Sequence, residues 1–186
     1  MPKVTDDRLA ARRGEILAGA RRAFARHGYE GVTVKVLEAE TGLSRGAIFH
    51  HYPSKEALFL ALAEDDAART AQVVAESGLV QVMRDLDNKD AGWLGVQLEV
   101  RRRVRTDPAF AASWSARQDA ITRATAQRLE RQRGAGVVRS DVPVPLLVDF
   151  LRLVFDGLVS SLATGMPSEH LEGVLDLVED AVRTPR

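Results

Sequence analysis

The chain is expected to be entirely α-helical, and three observations carry that expectation. Almost every segment repeats its apolar residues at helical spacing, and no stretch alternates as a half-buried strand would. The composition, 45% hydrophobic and 28% charged with only 5% aromatic, suits helices rich in Ala, Leu, Val and Arg. Residues 33–55, TVKVLEAETGLSRGAIFHHYPSK, contain two short, cappable helices joined by a glycine turn, the pattern of a helix-turn-helix. At 186 residues the chain can bury a core as one domain or as a small domain fused to a larger one. The expected division is a helix-turn-helix head over residues 1–54 and a helical body over residues 55–186.

The elements follow in order. A first helix is expected from Asp6 to His27, with Leu9, Ile16, Leu17, Ala20 and Phe24 inward. Arg12, Arg13, Arg21, Arg22 and Arg26 fall mostly on its other face. HGYEG at 27–31 stops it, because Gly28 accepts a backbone conformation other residues avoid. Thr33 to Thr41 forms a second helix capped by Thr33, Gly42 makes the turn, and Ser44 caps a third helix ending at His51. Pro53-Ser54 starts a long fourth helix that ends near Gly78 and connects head to body. A short fifth helix covers 79–86, and DNKDAG at 87–92 reads as a loop. Trp93 to Arg105 is a sixth helix, stopped by Thr106-Asp107-Pro108, and Pro108 to Arg133 a seventh. An eighth spans Pro145 to Ala163 and a ninth Ser168 to Arg183, about nine helices in all.

The bulk properties exclude several classes. Without cysteine there is neither a disulfide nor a thiolate metal site. The N-terminal MPKVTDDRLAARRGEIL has no continuous apolar run, so it does not read as a signal peptide. No segment approaches the roughly 20 apolar residues that cross a bilayer. A soluble, cytoplasmic protein without a membrane partner is expected. No nucleophile motif, HExxH or phosphate-cradling glycine loop is present, so an enzyme is not expected. The formal net charge of zero hides an asymmetry: residues 1–55 hold ten Lys and Arg against six Asp and Glu. A basic head on an acidic body gives a local footprint for a polyanion.

The eighth helix carries Leu146, Leu147, Phe150, Leu151, Val154, Phe155, Leu158, Val159 and Leu162. That stripe is wider than the roughly 100° a surface helix buries against one partner. One side can face the chain's own core and the other a second copy. The favoured reading is a homodimer seam of helices eight and nine, where Leu171, Val174, Leu175 and Val178 also line up. Complete burial of helix eight inside one chain is the alternative.

The run GxxxFARHGYEGVTV, a short helix and TGLSRGAIFHHYPSKEALF over residues 14–62 resembles the TetR family of transcriptional regulators. FLALAEDDAAR, RTDPAF, RSDVP and LATGMPSEHLEGVLDLVED further resemble the branch of that family that represses aconitase genes. The family resemblance implies an all-α homodimer with two DNA-binding heads, a ligand-binding and dimerisation body, and release of DNA on ligand binding. The branch implies control of a citric-acid-cycle gene and a citrate–Mg2+ effector, with no cofactor required for the fold. A regulator of another operon, such as efflux, sensing a more apolar molecule is the competing reading, and a helical dimer binding only a protein partner is a third.

Within the head, Ser44 and the amides around it can receive a phosphate at the positive end of the third helix. Arg45 is the candidate for reading guanine O6 and N7, because its planar fork matches that edge. Gly46 lets the backbone approach DNA, and Ala47 can touch a thymine methyl. His50 reaches bases or phosphates and His51 a phosphate, while Lys55 and the Thr33 hydroxyl meet the DNA backbone. Neighbouring histidines on a helix point about 100° apart and cannot chelate a metal together. Phe49 departs from the family pattern, where a tyrosine there often bonds a phosphate, and is left with sugar or thymine-methyl contacts. Tyr52 matches the family's packing aromatic. A symmetric dimer would present two such heads to a palindromic double-stranded operator, about 34–36 Å apart or at another whole-turn spacing.

In the body, Phe110, Trp114, Ile121 and Ala124 form the inward stripe of the seventh helix, and Arg117 and Arg128 fall on the same stripe. A guanidinium facing a core needs a carboxylate or a ligand. Glu179, four residues after Leu175, also borders an apolar face. The branch resemblance points to Arg128 as a ligand of citrate and Glu179 as the residue near the metal. Magnesium keeps several waters and needs only one or two carboxylates. Arg117 and Gln118 join the ligand-binding candidates, and Glu99 and Arg103 stand behind them. An internal Arg128–Glu179 salt bridge, or both side chains reaching solvent, is the alternative. Of Arg101-Arg102-Arg103, a solvated face is expected.

Overall fold

Capping residues set where the helices begin. The hydroxyls of Thr33, Ser44 and Ser54 accept hydrogen bonds from the amides of Val36, Ala47 and Ala57, at 3.3, 3.4 and 3.0 Å. The carboxylate of Asp107 accepts one from Phe110 at 3.0 Å, just ahead of Pro108. Each satisfies an amide that the first helical turn cannot, worth about 1 kcal/mol. Phe110 N–H holds the Asp107 carboxyl below the usual carboxylate range, and the neighbouring Arg103 adds to this.

The computed structural model describes residues 3–86, 91–166 and 169–185. Among them are nine helices: α1 Lys3–Gly31, α2 Val34–Thr41, α3 Arg45–His51, α4 Lys55–Ser77, α5 Leu79–Asp85, α6 Ala91–Thr106, α7 Pro108–Gly134, α8 Val144–Ala163 and α9 Leu171–Val182. The only extended pairing among the described residues is a single antiparallel bridge between Val138 and Arg183. The fold is therefore all-α, as the periodicity requires. Of the loop expected at 87–92, residues 87–90 lie outside the described residues, and Ala91 and Gly92 already belong to α6. Ser168, the expected start of α9, also lies outside them, and α9 begins three residues later at Leu171.

Two glycines set the course of the head. Gly42 closes α2 at φ 71°, ψ 14°, a left-handed turn that returns the chain into α3. Gly28 stands at φ 68°, ψ 171°, a region essentially reserved for glycine, and breaks α1 there although helical turns resume as far as Gly31.

The head does not own a separate core. Ile16, Ala20, Phe24, Leu37, Ile48, Leu58, Phe59 and Leu62 pack in one cluster with Trp93, Val96 and Val100 of α6 and Phe110 and Trp114 of α7. That cluster crosses the boundary expected after residue 54, and the first half of α4 lies within it. A second cluster, built from Val74, Val82, Met83, Leu129, Leu147, Leu151, Leu175 and Val178, fills the body. Leu9, expected inward, is 46% exposed, because the first turns of α1 run past the head's core, which starts at Ile16.

The wide stripe of α8 divides between two surroundings. Val144, Leu147, Val148, Leu151 and Val159 are buried, whereas Leu153 is 63% exposed and Leu146 and Phe150 lie open beside it. On α9, Leu175 and Val178 pack inside the body and not on the outer face where the periodicity puts them. Val174 and Leu177, the latter 71% exposed, occupy that outer face instead.

Candidate nucleic-acid interface and effector cavities

The nine residues expected to meet DNA lie on or beside the helix-turn-helix. Thr33, Ser44, Arg45, Gly46 and His50 are exposed, and Ala47, Phe49, His51 and Lys55 are half-buried. The α3 amides are partly used inside the head. Arg45 N–H donates to Glu38 Oε1 at 2.7 Å and Ala47 N–H to the Ser44 hydroxyl, leaving that hydroxyl's own proton to offer outward. A side chain at Gly46 would meet nothing within 4 Å, so packing does not demand glycine there. Phe49 packs partly against the head's core, and Tyr52 does the same. Burial pushes the Tyr52 phenol up.

Lys55 has an internal role that the sequence did not reveal. Its Nζ donates to the carbonyl of Tyr29 at 3.0 Å and stands 4.7 Å from the Tyr29 ring centre. An ammonium has three donors, so this bond leaves capacity for a phosphate. Tyr29 is held from two more sides. Its N–H donates to Glu99 at 2.8 Å and its hydroxyl accepts from Arg103 at 2.6 Å. Burial pushes the Tyr29 phenol up, against the opposing charge of Arg103. Arg103 also pairs with Glu56 and stacks over Phe110. Glu99 and Arg103, candidates for the body's ligand site, therefore face the head.

The arginine face of α1 is sorted by partners. Arg12 pairs with Glu15, Arg21 with Asp66, and Arg22 and Arg26 with Glu40. Asp66 also accepts from the Trp93 indole at 3.4 Å, so this carboxylate ties α1, α4 and α6 together.

The effector candidates divide between two cavities of the body. One, of about 250 Å³, has walls of Leu79, Val104, Trp114, Ile121, Val148 and Phe155. Its polar rim includes Gln118, Gln97, Arg101, Arg152 and Asp156. The other, of about 180 Å³, brings Arg128 and Glu179 to one space together with Arg183, Gln132 and Thr125. The Arg117 side chain lies outside the described residues. The arginine run at 101–103 goes three ways: Arg101 to the first cavity, Arg102 to solvent, Arg103 to the head.

Arg128 and Glu179 share a cavity without an ion pair between them. The Arg128 guanidinium donates to the carbonyls of Ala75 and Glu76, at 3.0 and 2.8 Å, and Arg131 donates to Ala75 at 3.2 Å. These are unpaired carbonyls at the end of α4, where a cation also complements the helix dipole. Glu179 accepts from Arg183 and, at 3.3 Å, from Arg84, which also grips Glu172 and Asp176. The place of Arg128 on an apolar stripe is visible in the sequence, but its partner, the end of α4, lies 52 residues away and leaves no local signal.

The donor set can be compared with the needs of citrate and magnesium. Arg128 and Arg183 suit carboxylates, and Glu179 suits a hard cation. Among the described residues no three metal-ligating side chains gather. A cation held there would draw most of its oxygens from its organic partner and water, which magnesium accepts.

Comparison with known proteins agrees with this architecture. Residues 16–62 match the family described as bacterial regulatory proteins, tetR family. The chain is 52% identical over 186 residues to the HTH-type transcriptional repressor AcnR of Corynebacterium diphtheriae, covering 99% of this chain and 98% of that one. It is likewise 52% identical to the AcnR of Corynebacterium glutamicum, covering 98% of each. The fold superposes on a TetR transcription regulator from Haloarcula marismortui with a TM-score of 0.76 at 20% identity, covering 94% of this chain and 100% of that one. No helix among the described residues is long and apolar enough to cross a membrane. With a helix-turn-helix in place and half its residues shared along the full length of such repressors, the chain belongs to the TetR family and is a DNA-binding transcriptional repressor, not an enzyme.

Proposed function

We propose that the protein is a homodimeric repressor of an aconitase or other citric-acid-cycle gene, released from a palindromic operator by citrate together with Mg2+. The observation that carries the effector is the meeting of Arg128, Arg183 and Glu179 around one cavity at the end of α4. The name shared by its relatives supports the target gene. The outward Leu146, Phe150 and Leu153 on α8 and Val174 and Leu177 on α9 support pairing of these helices with a second copy, since large exposed apolar side chains gathered on a helix face mark interaction surfaces.

Arg128 gives the effector a route to the head. It is bonded to the last carbonyls of α4, and the other end of α4 begins at Lys55, against the DNA-binding helices. A carboxylate that draws the guanidinium away uncaps α4 and favours a different tilt of that helix. Arg128 and Arg183 would hold the carboxylates of citrate, and Glu179, now paired with Arg183 and Arg84, would supply the one protein oxygen to a cation that citrate carries. An effector that prefers one tilt must lower operator affinity by the same factor by which DNA lowers effector affinity.

The test is operator binding, by fluorescence anisotropy, with citrate alone, magnesium alone and both at millimolar concentration. Weakened binding only with both is expected; unchanged affinity over that range sinks the effector reading. A second reading has its own support: the more apolar 250 Å³ cavity beside Gln118 suits a neutral or greasy effector, as a regulator of another operon would need. Release by an apolar compound, blocked by Ile121→Trp, would favour it.

A further inference from the structure

We propose that α1 takes part in DNA binding directly: Arg13, with His50 and His51, forms a seat for one phosphate of the DNA backbone. This rests on the DNA-binding reading above and extends it to a helix that otherwise serves as scaffold.

An open groove of about 440 Å³ runs between the N-terminal half of α1 and the last turn of α3, lined by Leu9, Ala10, Arg13, His50 and His51. It holds one fixed cation and two imidazoles on a floor of small or apolar side chains, with no carboxylate in its lining. The two imidazole rings pack edge to face, with centroids 5.3 Å apart, and both line the groove beside Arg13. Arg13 is exposed and forms no ion pair among the described residues, in contrast to Arg12, Arg21, Arg22 and Arg26 on the same helix. An unpaired guanidinium beside potential donors is a match for a tetrahedral oxyanion. Gly46 and His50, four residues apart on α3, share a face of that helix, so DNA lying along this face also meets the groove at His50.

The experiment measures full-length protein on a duplex selected from random DNA by the protein itself, titrated from 50 to 200 mM salt. Arg13→Gln is expected to lower the slope of log affinity against log salt by about one, a change of about 3.5-fold across that range. Selected and shuffled duplexes should weaken alike, and Arg13→Lys should restore the slope. Arg12→Gln, whose arginine is already paired with Glu15, should leave it unchanged. Replacing single phosphates by neutral methylphosphonates should reveal one position per half-site that weakens the wild type but not Arg13→Gln. A free anion in the groove would produce no such position. An unchanged slope, or an equal drop for Arg12→Gln, overturns the proposal while DNA binding stands. Absence of binding to any duplex by the wild type overturns both.

Discussion

The head and the body of this protein are built from different materials. Around the head, rings meet rings: Phe24, Tyr29 and Phe59 lie within 4.9–5.9 Å of one another, and Phe59 continues to Trp114 at 5.8 Å and to Trp93 at 6.1 Å. The body's cluster consists of Val, Leu and Met, with two cavities beside it. Aromatic pairs have preferred geometries and little freedom, so the rings fix the head to α6 and α7 as one piece. Aliphatic packing next to cavities leaves room to rearrange. A rigid head has been joined to a more adaptable body, and the joint is Phe59 on α4.

The largest expected effect tests that joint. Phe59→Ala removes a fully buried ring and should cost about 3–5 kcal/mol, the range for such truncations. Both tryptophans belong to the head's cluster, so their fluorescence follows the joint while far-ultraviolet circular dichroism follows all helices. In urea the two signals should coincide in the wild type and separate in the variant. A loss below about 1 kcal/mol, with coincident transitions, would show that the rings do not weld the two parts. Next in size is the outer face of the body. Leu153→Glu and Leu177→Glu, both at exposed positions, should leave the fold intact, convert dimer to monomer in sedimentation, and weaken operator binding about 100-fold or more by removing the second head. A monomeric wild type would break the dimer reading at once.

Arg45→Ala comes third. It should cost about 1–3 kcal/mol on the selected operator and far less on random DNA, because the exposed guanidinium has no ion-pair partner among the described residues to lose. Equal losses on both duplexes would assign Arg45 to the backbone instead of a base.

Periodicity and punctuation made the helices legible. Thr33, Ser44 and Ser54 cap as their side chains demand, and Gly28 and Gly42 sit where the chain needs positive φ. A helix long enough to show its stripe declares its inner face, which is why α8 could be read as two-sided. The short α9 could not be phased so closely, and Leu175 and Val178 turned out to be core. What sequence could not reveal is pairing at a distance. Glu99 reaching Tyr29, Arg103 reaching Glu56, and Arg128 reaching Ala75 depend on how helices cross, not on spacing within one helix. An odd charge on an apolar face signals that a partner exists; only the packed structure identifies it.

The smallest expected effect on stability bears most directly on the proposed effector site. Arg128 and Arg131 both donate to the end of α4, but only Arg128 lines the cavity with Glu179. Exposed cations at a helix C-terminus contribute about 0.3–1 kcal/mol each. Arg128→Gln and Arg131→Gln should therefore destabilise the fold slightly and by similar amounts in urea. Their consequences for release should differ. Arg131→Gln keeps the guanidinium that an acidic effector would draw away, so citrate with magnesium should still weaken operator binding. Arg128→Gln has lost it and should hold DNA whether or not the effector is present. If both variants respond like the wild type, the end of α4 is only a capped helix terminus and the sensor lies in the apolar cavity beside Gln118. If both lose the response, uncapping α4 is what disturbs the head, and Arg128 has no special claim as a ligand.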